Sequence, residues 1–362
     1  MVLRSLVAAL AVIALPSKAR ALNPPQNIAI DGGPLGQIVF SGGVDGGFYA
    51  QSNAPKNTKT YGAALGNALV ELQKTTGIVQ FTIEIGAYSA QTLGAAPVVN
   101  NYFSVSPLFA GYITIAPNDN VSVSAGQLNP LVGYEGAQDW LNTGEFFSAI
   151  AATQPGQGRG VQIALTQGTL SASLSLTDGY YTGVVNYLQG IGSWAPNEQN
   201  SLSVYGGGNL GRTGVNALGS GNVLLNNSTL LGAFYTRTQG GLSITPEVQV
   251  QYANPNAALG LGGYARNLSA AVFALYQFSG TNYSLGGFVE YATQASNKAA
   301  TTTADFFGTG PNSSFYGVSI APAWQKGNLF ARADLGLLHA HVTAGGAKPL
   351  ALQTTMEVGL LF

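Results

Sequence analysis

The side chains able to do chemistry are carboxylates, a few cations and two histidines, because the chain has no cysteine. His339 and His341 stand two apart, which puts them on one face of a strand and makes them a candidate metal pair. Structural zinc sites want about four ligands, and neither a thiol nor a third histidine exists to complete one. A rim position among aromatic residues explains the pair better. The same two histidines are all that a serine hydrolase could use, and no Gly-x-Ser-x-Gly elbow accompanies them. GGGNLG (206–211) matches the glycine pattern of a phosphate cradle. No helix follows it, and no acidic residue lies at the distance that a nucleotide site requires. What remains is a set of single charges spaced among apolar residues.

Those charges sit in segments that alternate apolar and polar positions. IVQFTIEIGA (78–87) sets Val79, Phe81, Ile83 and Ile85 against Gln80, Thr82 and Glu84. LSITPEVQVQY (242–252) sets Leu242, Ile244, Val248, Val250 and Tyr252 against Ser243, Thr245, Glu247, Gln249 and Gln251. TLSASLSLTD (169–178) alternates Leu or Ala with Ser or Thr. A period of two means strands with one buried face. Strands are expected near 36–50, 61–74, 77–88, 106–116, 119–128, 159–167, 169–178, 185–195, 199–210, 227–238, 241–253, 265–278, 281–294, 313–325, 327–340 and 350–362. Helical periodicity is scarce.

Composition says what the apolar face meets. Charged residues are 8% of the 362, against about 25% in ordinary soluble domains. Glycine is abundant at 49 residues, and no uncharged apolar run approaches a membrane helix. A chain of membrane-like charge content without such a helix meets lipid with every second residue of a β-barrel. The fold expected is therefore all-β, a transmembrane antiparallel β-barrel of about 16 strands. Tight turns at 75–76, 117–118, 167–168, 196–199, 240, 280 and 327 alternate with longer connections at 51–60, 89–105, 129–158, 179–184, 211–226, 254–264, 295–312 and 341–349. Short periplasmic turns and longer extracellular loops are the outer-membrane arrangement, and 16 strands put both termini on the short-turn side. The segment 185–195 has the weakest pattern, and without it the count turns odd. Pro246 and Pro322 each interrupt a strand, where a missing N–H needs a bulge or an unpaired rung.

Residues 1–21 read as a secretory signal: Arg4, an apolar stretch from Leu6 to Leu15, and Ala19-Arg20-Ala21 before the cut. Residues 22–35 then form a periplasmic N-terminal segment, and 36–362 the barrel. Without Arg4, Lys18 and Arg20 the chain has 11 basic residues against 15 acidic, which is no footprint for nucleic acid.

Two hairpins echo one another, YITIAPNDNVSVSAG (112–126) and IGSWAPNEQNSLSVYGG (191–207). The Ala-Pro-Asn-Asp turn, the Ala125-Gly126-Gln127 after it and Leu131-Val132-Gly133-Tyr134-Glu135 resemble the OmpL-like β-barrel porins, and more broadly bacterial general and substrate-specific porins. The specific motif spans roughly 112–135, while the pattern covers most of the chain. That resemblance implies passive diffusion of small solutes across the outer membrane of Gram-negative bacteria, with no catalytic residues and no cofactor. It also implies that the aromatic C-terminal strand ending at Phe362 is read by the barrel assembly machinery. Porins of this size can be homotrimers.

With Phe362 facing lipid, Gln353 and Glu357 face the lumen, and the same alternation turns Glu71, Glu84, Glu247, Glu290 and Asp334 inward. Arg237 and Arg332 are the inward cations expected. Acids in excess imply a weak cation preference, unless some of them form ion pairs within the wall. The longest connection, 129–158, carries Glu135, Asp139, Trp140, Glu145, Phe146 and Phe147. It is expected either to fold into the barrel as a constriction or to cover its mouth as a lid. Phe48-Tyr49, Tyr102-Phe103, Tyr180-Tyr181 and Phe315-Tyr316 are expected at the interfacial girdles. The alternatives are a substrate-specific uptake or export barrel, a secreted all-β binding or adhesion protein without a pore, and, last, an outer-membrane hydrolase.

Overall fold

The structure, a computed structural model, describes residues 20–23, 27–52, 60–88, 91–95, 108–214, 223–257, 261–296, 305–341 and 350–362. The expected signal peptide lies almost wholly outside the described residues, as does the Tyr102-Phe103 pair. Sixteen long strands form one sheet. In chain order they are β1 Gln37–Gln51, β2 Tyr61–Lys74, β3 Val79–Ala87, β4 Leu108–Asn118, β5 Val121–Leu128, β6 Gly158–Gln167, β7 Leu170–Thr177 and β8 Tyr187–Asn197. There follow β9 Asn200–Asn209, β10 Thr229–Gln239, β11 Leu242–Ala253, β12 Ala265–Gln277, β13 Tyr283–Ser296, β14 Ser314–Lys326, β15 Leu329–His341 and β16 Leu350–Leu361. Each pairs antiparallel with the next, and β16 pairs with β1, from Gln353↔Gln51 to Leu361↔Gly43, so the sheet has no free edge. Closure gives each of these strands a partner on both sides, in a solvent that offers no hydrogen bonds. The count of 16 is borne out, including β8, the strand with the weakest sequence pattern.

The alternation read from sequence is the alternation of the wall. In β11, Leu242, Ile244, Val248 and Val250 are exposed outward while Ser243, Thr245, Glu247, Gln249 and Gln251 are buried in the lumen. In β16, Leu352, Met356 and Val358 face out while Gln353, Thr355 and Glu357 face in. Phe362 completes the closure: it exchanges backbone hydrogen bonds with Gly42 at 2.6 and 2.9 Å, and its ring stacks on Phe40 at 5.5 Å.

Both strand prolines are tolerated on the outer face by leaving a rung open on one side. The β10–β11 ladder skips from Phe234↔Glu247 to Arg237↔Ile244, while Pro246 stays paired with Val272 on β12. Pro322 does the same, paired with Leu285 but missing from the β14–β15 ladder between Ile320↔Leu335 and Ala323↔Arg332. The echoed Ala-Pro-Asn hairpins share a register shift, at Ile115/Asn118 and at Trp194/Asn197. In each the Asn side chain then accepts a backbone N–H two residues on, from Asn120 to Asn118 at 2.9 Å and from Gln199 to Asn197 at 3.0 Å.

Below the barrel, Ile28–Asp31 adds a short antiparallel partner to β1, from Ile28↔Phe40 to Asp31↔Gln37. Residues 20–23 run into the short-turn end of the lumen. The Ala21 N–H donates to Asn142 O at 3.1 Å, and Asn23 and Gln325 exchange two hydrogen bonds at 2.7 and 2.6 Å. Leu22 is buried beside Leu69, Trp140 and Phe330.

Two expectations need correction. Arg237 is exposed on the outer face, opposite Ile244 near the short-turn rim, and its neighbour Thr236 is the inward residue, 2.9 Å from Thr245. The phase misleads because β10 turns apolar Leu230 and Phe234 into the lumen. Tyr180 and Tyr181 lie in the loop after β7, not on a girdle: Tyr180 Oη donates to Thr153 O at 2.8 Å, and Tyr181 bonds Gln157. Phe48 and Tyr316 do face outward, whereas their neighbours Tyr49 and Phe315 are buried inside. The His339 ring packs at a tilt against Tyr316, centroids 5.2 Å apart, on the outer face near the long-loop rim.

Candidate functional site

The wall carboxylates converge on the connection between β5 and β6, residues 129–157. Tyr134 N–H donates to Glu247 Oε1 at 3.1 Å, and Tyr205 Oη reaches the same oxygen at 2.7 Å. Ala149 N–H donates to Glu290 Oε2 at 2.7 Å. Asp334 Oδ2 accepts the N–H groups of Glu145 and Phe146, each at 3.0 Å, while its Oδ1 accepts Ser319 Oγ at 2.6 Å. Gln138 bonds Glu84. Glu247, Glu290 and Asp334 thus do for the connection what caps do for helices, taking N–H groups that have no strand to pair with. Glu135 serves from within the connection: it accepts Ser148 N–H and Oγ at the start of the short helix Ala149–Ala152.

Arg332 is the centre of charge. Its Nη2 lies 2.9 Å from Asp139 Oδ2, its Nη1 donates to Asp139 O at 3.1 Å, and its Nε pairs with Glu357. Asn67 Nδ2 bridges Asp139 Oδ1 and Asp45 Oδ2 at 2.9 Å each, and its N–H reaches Asp45 Oδ1 at 2.8 Å. The register shift between Val44 and Gly46 against β2 aims Asn67 there, the familiar effect of a bulge. Carboxylate oxygens of Asp139, Glu145 and Glu357 lie within 4.8 Å of one another, a spacing that would suit a metal ion. The Arg332 guanidinium already touches two of the three and supplies positive charge at that point. Burial in the connection pushes Glu145 up to about 8, against the pull of Arg332 and with the repulsion of Asp139 added. Glu135 is likewise pushed up to about 8 by burial, which the Ser148 hydroxyl opposes and Glu247 reinforces.

Apolar residues hold the other side of the connection. Tyr134 packs at 5.7 Å from Phe234 and 4.9 Å from Phe273, and Phe273 at 5.7 Å from Phe288. Ile150 and Phe146 join this inward-facing cluster, and so does Leu93 of the connection after β3. There Gln91–Thr92 pairs in parallel with Phe146–Phe147, and Gly94 N–H donates to Gln353 Oε1 at 2.6 Å. Glycines give the connection room: a Cβ on Gly286 would fall 1.8 Å from Thr143 O.

Of the ten charged candidates, Arg332, Asp139, Glu145 and Glu357 form one cluster with Asp334 beside it, and Glu135, Glu247 and Glu290 flank a second stretch of the same connection. Glu84 meets its Gln138, and Arg237 is outside. Asp45 and Asn67 were missed, since neither stands out in the glycine-rich β1 or in β2. Strands β5 to β7 face the lumen mainly with neutral polar groups, such as Ser124, whose Oγ lies 2.7 Å from Thr114 Oγ1 of β4. Beside them lies a cavity of about 610 Å³ that reaches the short-turn rim, lined by Gln80, Thr82, Thr114, Ser124 and Gln162.

No curated protein matches the sequence. Among solved structures the chain is similar to in-vitro folded OmpT, an outer membrane protein of Vibrio cholerae, at TM-score 0.59 and 11% identity over 91% of this chain and 98% of that one. A trimer form of OmpT gives 0.59 and 12% over 90% and 99%. The outer membrane channel DcaP of Acinetobacter baumannii gives 0.57 and 11% over 90% and 97%. At such identities the likeness is one of fold. The family model described as "Putative beta-barrel porin-2, OmpL-like" matches residues 37–362, the whole barrel, and the chain belongs to that porin family of the outer membrane.

Proposed function

We propose that this porin is a water-filled channel for passive diffusion of ions and small hydrophilic solutes, narrowed by residues 129–157 and weakly selective for cations. The observation that carries the reading is the set of hydrogen bonds from that connection to Glu247, Glu290 and Asp334, whose strands it meets inside the ring. A lid over the mouth would meet strand ends instead. The aromatic cluster fills the lumen beside β9 to β15, so the path for water follows the polar wall of β3 to β7. The cation preference rests on the inward acids outnumbering Arg332. Reversal potentials across a salt gradient test it: cations should be favoured, and an anion preference contradicts the reading.

Both histidines lie on the outer face at the rim, away from the lumenal carboxylates. The rows of outward Leu, Val and Ile fit lipid, and part of that face fits a second and third copy of the chain in a trimer. Recognition of the Phe362 strand by the assembly machinery and removal of residues 1–21 belong to the same reading.

A further inference from the structure

Glu71 and Glu84 are direct cross-strand partners on the lumenal face of β2 and β3. Side chains so placed have Cβ atoms about 5 Å apart, and like charges there repel. Neutral groups attend each of them: Ser41 Oγ donates to Glu71 at 3.3 Å, and Gln138 to Glu84. Glu84 is 3% exposed and its Oε2 has no hydrogen-bond partner. Both carboxylates line a cavity of about 470 Å³ near the short-turn rim. Its remaining wall is mixed, with Leu22, Leu69, Trp140 and Leu141 forming an apolar side and Gln73, Asn129 and Gln138 a polar one. The one basic residue on that wall is Arg20, which falls within the expected signal peptide. Lys74, the nearest cation in sequence, is held away, its Nζ donating to Thr76 O and Val79 O at 2.5 and 2.6 Å.

We propose that this cavity binds a small organic cation, a solute with a primary ammonium head and a short apolar tail. The ammonium has three donors and bridges Glu71 and the free Glu84 oxygen, relieving their repulsion. The tail lies along Leu69 and Leu141, with the Trp140 ring adding a face that attracts cations. A bare metal ion would gain nothing from the apolar half of the wall. The inference rests on the channel reading, for which it names the class of solute held on the way through.

The test uses protein purified from outer membranes, hexylammonium as probe and hexanoate as its opposite-charge control. In planar bilayers, hexylammonium on the short-turn side should block current in a concentration-dependent way, and hexanoate should not. E71Q/E84Q should raise the half-blocking concentration at least about tenfold, the loss of a charge-assisted hydrogen bond. E84Q alone, with heat-modifiable gel migration as the check of folding, should give part of that loss. Calorimetric titration of hexylammonium into detergent-solubilised protein reads the same binding without conduction. Equal block or equal binding in wild type and E71Q/E84Q, or none in wild type, overturns the site. A barrel that binds hexylammonium through the pair but passes no current overturns the channel reading instead.

Discussion

At the scale of single residues, Arg332 carries the greatest consequence. It is buried with Asp139 and Glu357 in contact and Glu145 nearby, so removing it leaves carboxylates buried without a counter-charge. Arg332→Met should destabilise the barrel by about 3–5 kcal/mol, the cost of breaking a buried pair from one side. Urea unfolding in detergent measures it, and a loss below about 1 kcal/mol would show the cluster to be solvated like surface pairs. Arg237→Ala should cost about 1 kcal/mol or less, because a cation on the lipid face near the rim is cheap to hold or to lose. The contrast marks what alternation reveals. Glu84, Glu247, Glu290, Asp334 and Glu357 were legible as inward because each adjoins an apolar outward residue: Ile83, Val248, Val289, Leu335 and Met356 respectively. Arg237 was not, because Leu230 and Phe234 pack on an internal connection, and an apolar residue facing that connection looks the same in sequence as one facing lipid.

At the scale of elements, the connection at 129–157 was legible by its length, acids and aromatics. Its partners were not, since Glu247, Glu290 and Asp334 lie about 110 to 190 residues away in sequence. Its docking should depend on pH. Glu135 and Glu145 move from an ordinary 4.5 to about 8 when buried, so the docked state holds protons that an undocked one releases. Docking is then strongest below about pH 4.5, weakens as pH rises towards about 8, and is flat above. Glu135 faces Glu247 and Glu290, and Glu145 faces Arg332, Asp139 and Asp334. Single-channel conductance should therefore be lower at pH 5 than at pH 8.5, and E135Q/E145Q should remove most of the difference. A difference of the same size in that variant would place the titration elsewhere. Proteolysis within 129–157, faster at pH 8.5 than at pH 5, is the matching structural readout.

At the scale of the whole molecule, strand number, closure and the alternation of short and long connections could all be read from the chain, because lipid imposes a period of two on each strand. What filled the lumen could not be read, because water, loop and aromatic cluster place no comparable period on the inward positions. The account stands on a lumen that passes solutes around a docked connection. Single-channel conductance of the wild type, beside a variant in which residues 136–145 are replaced by a short Gly-Ser link, tests this most directly. The account predicts stable conductance in both, with a clear increase in the shortened variant. A wild type that passes no current, or a shortened variant with unchanged conductance, would contradict it.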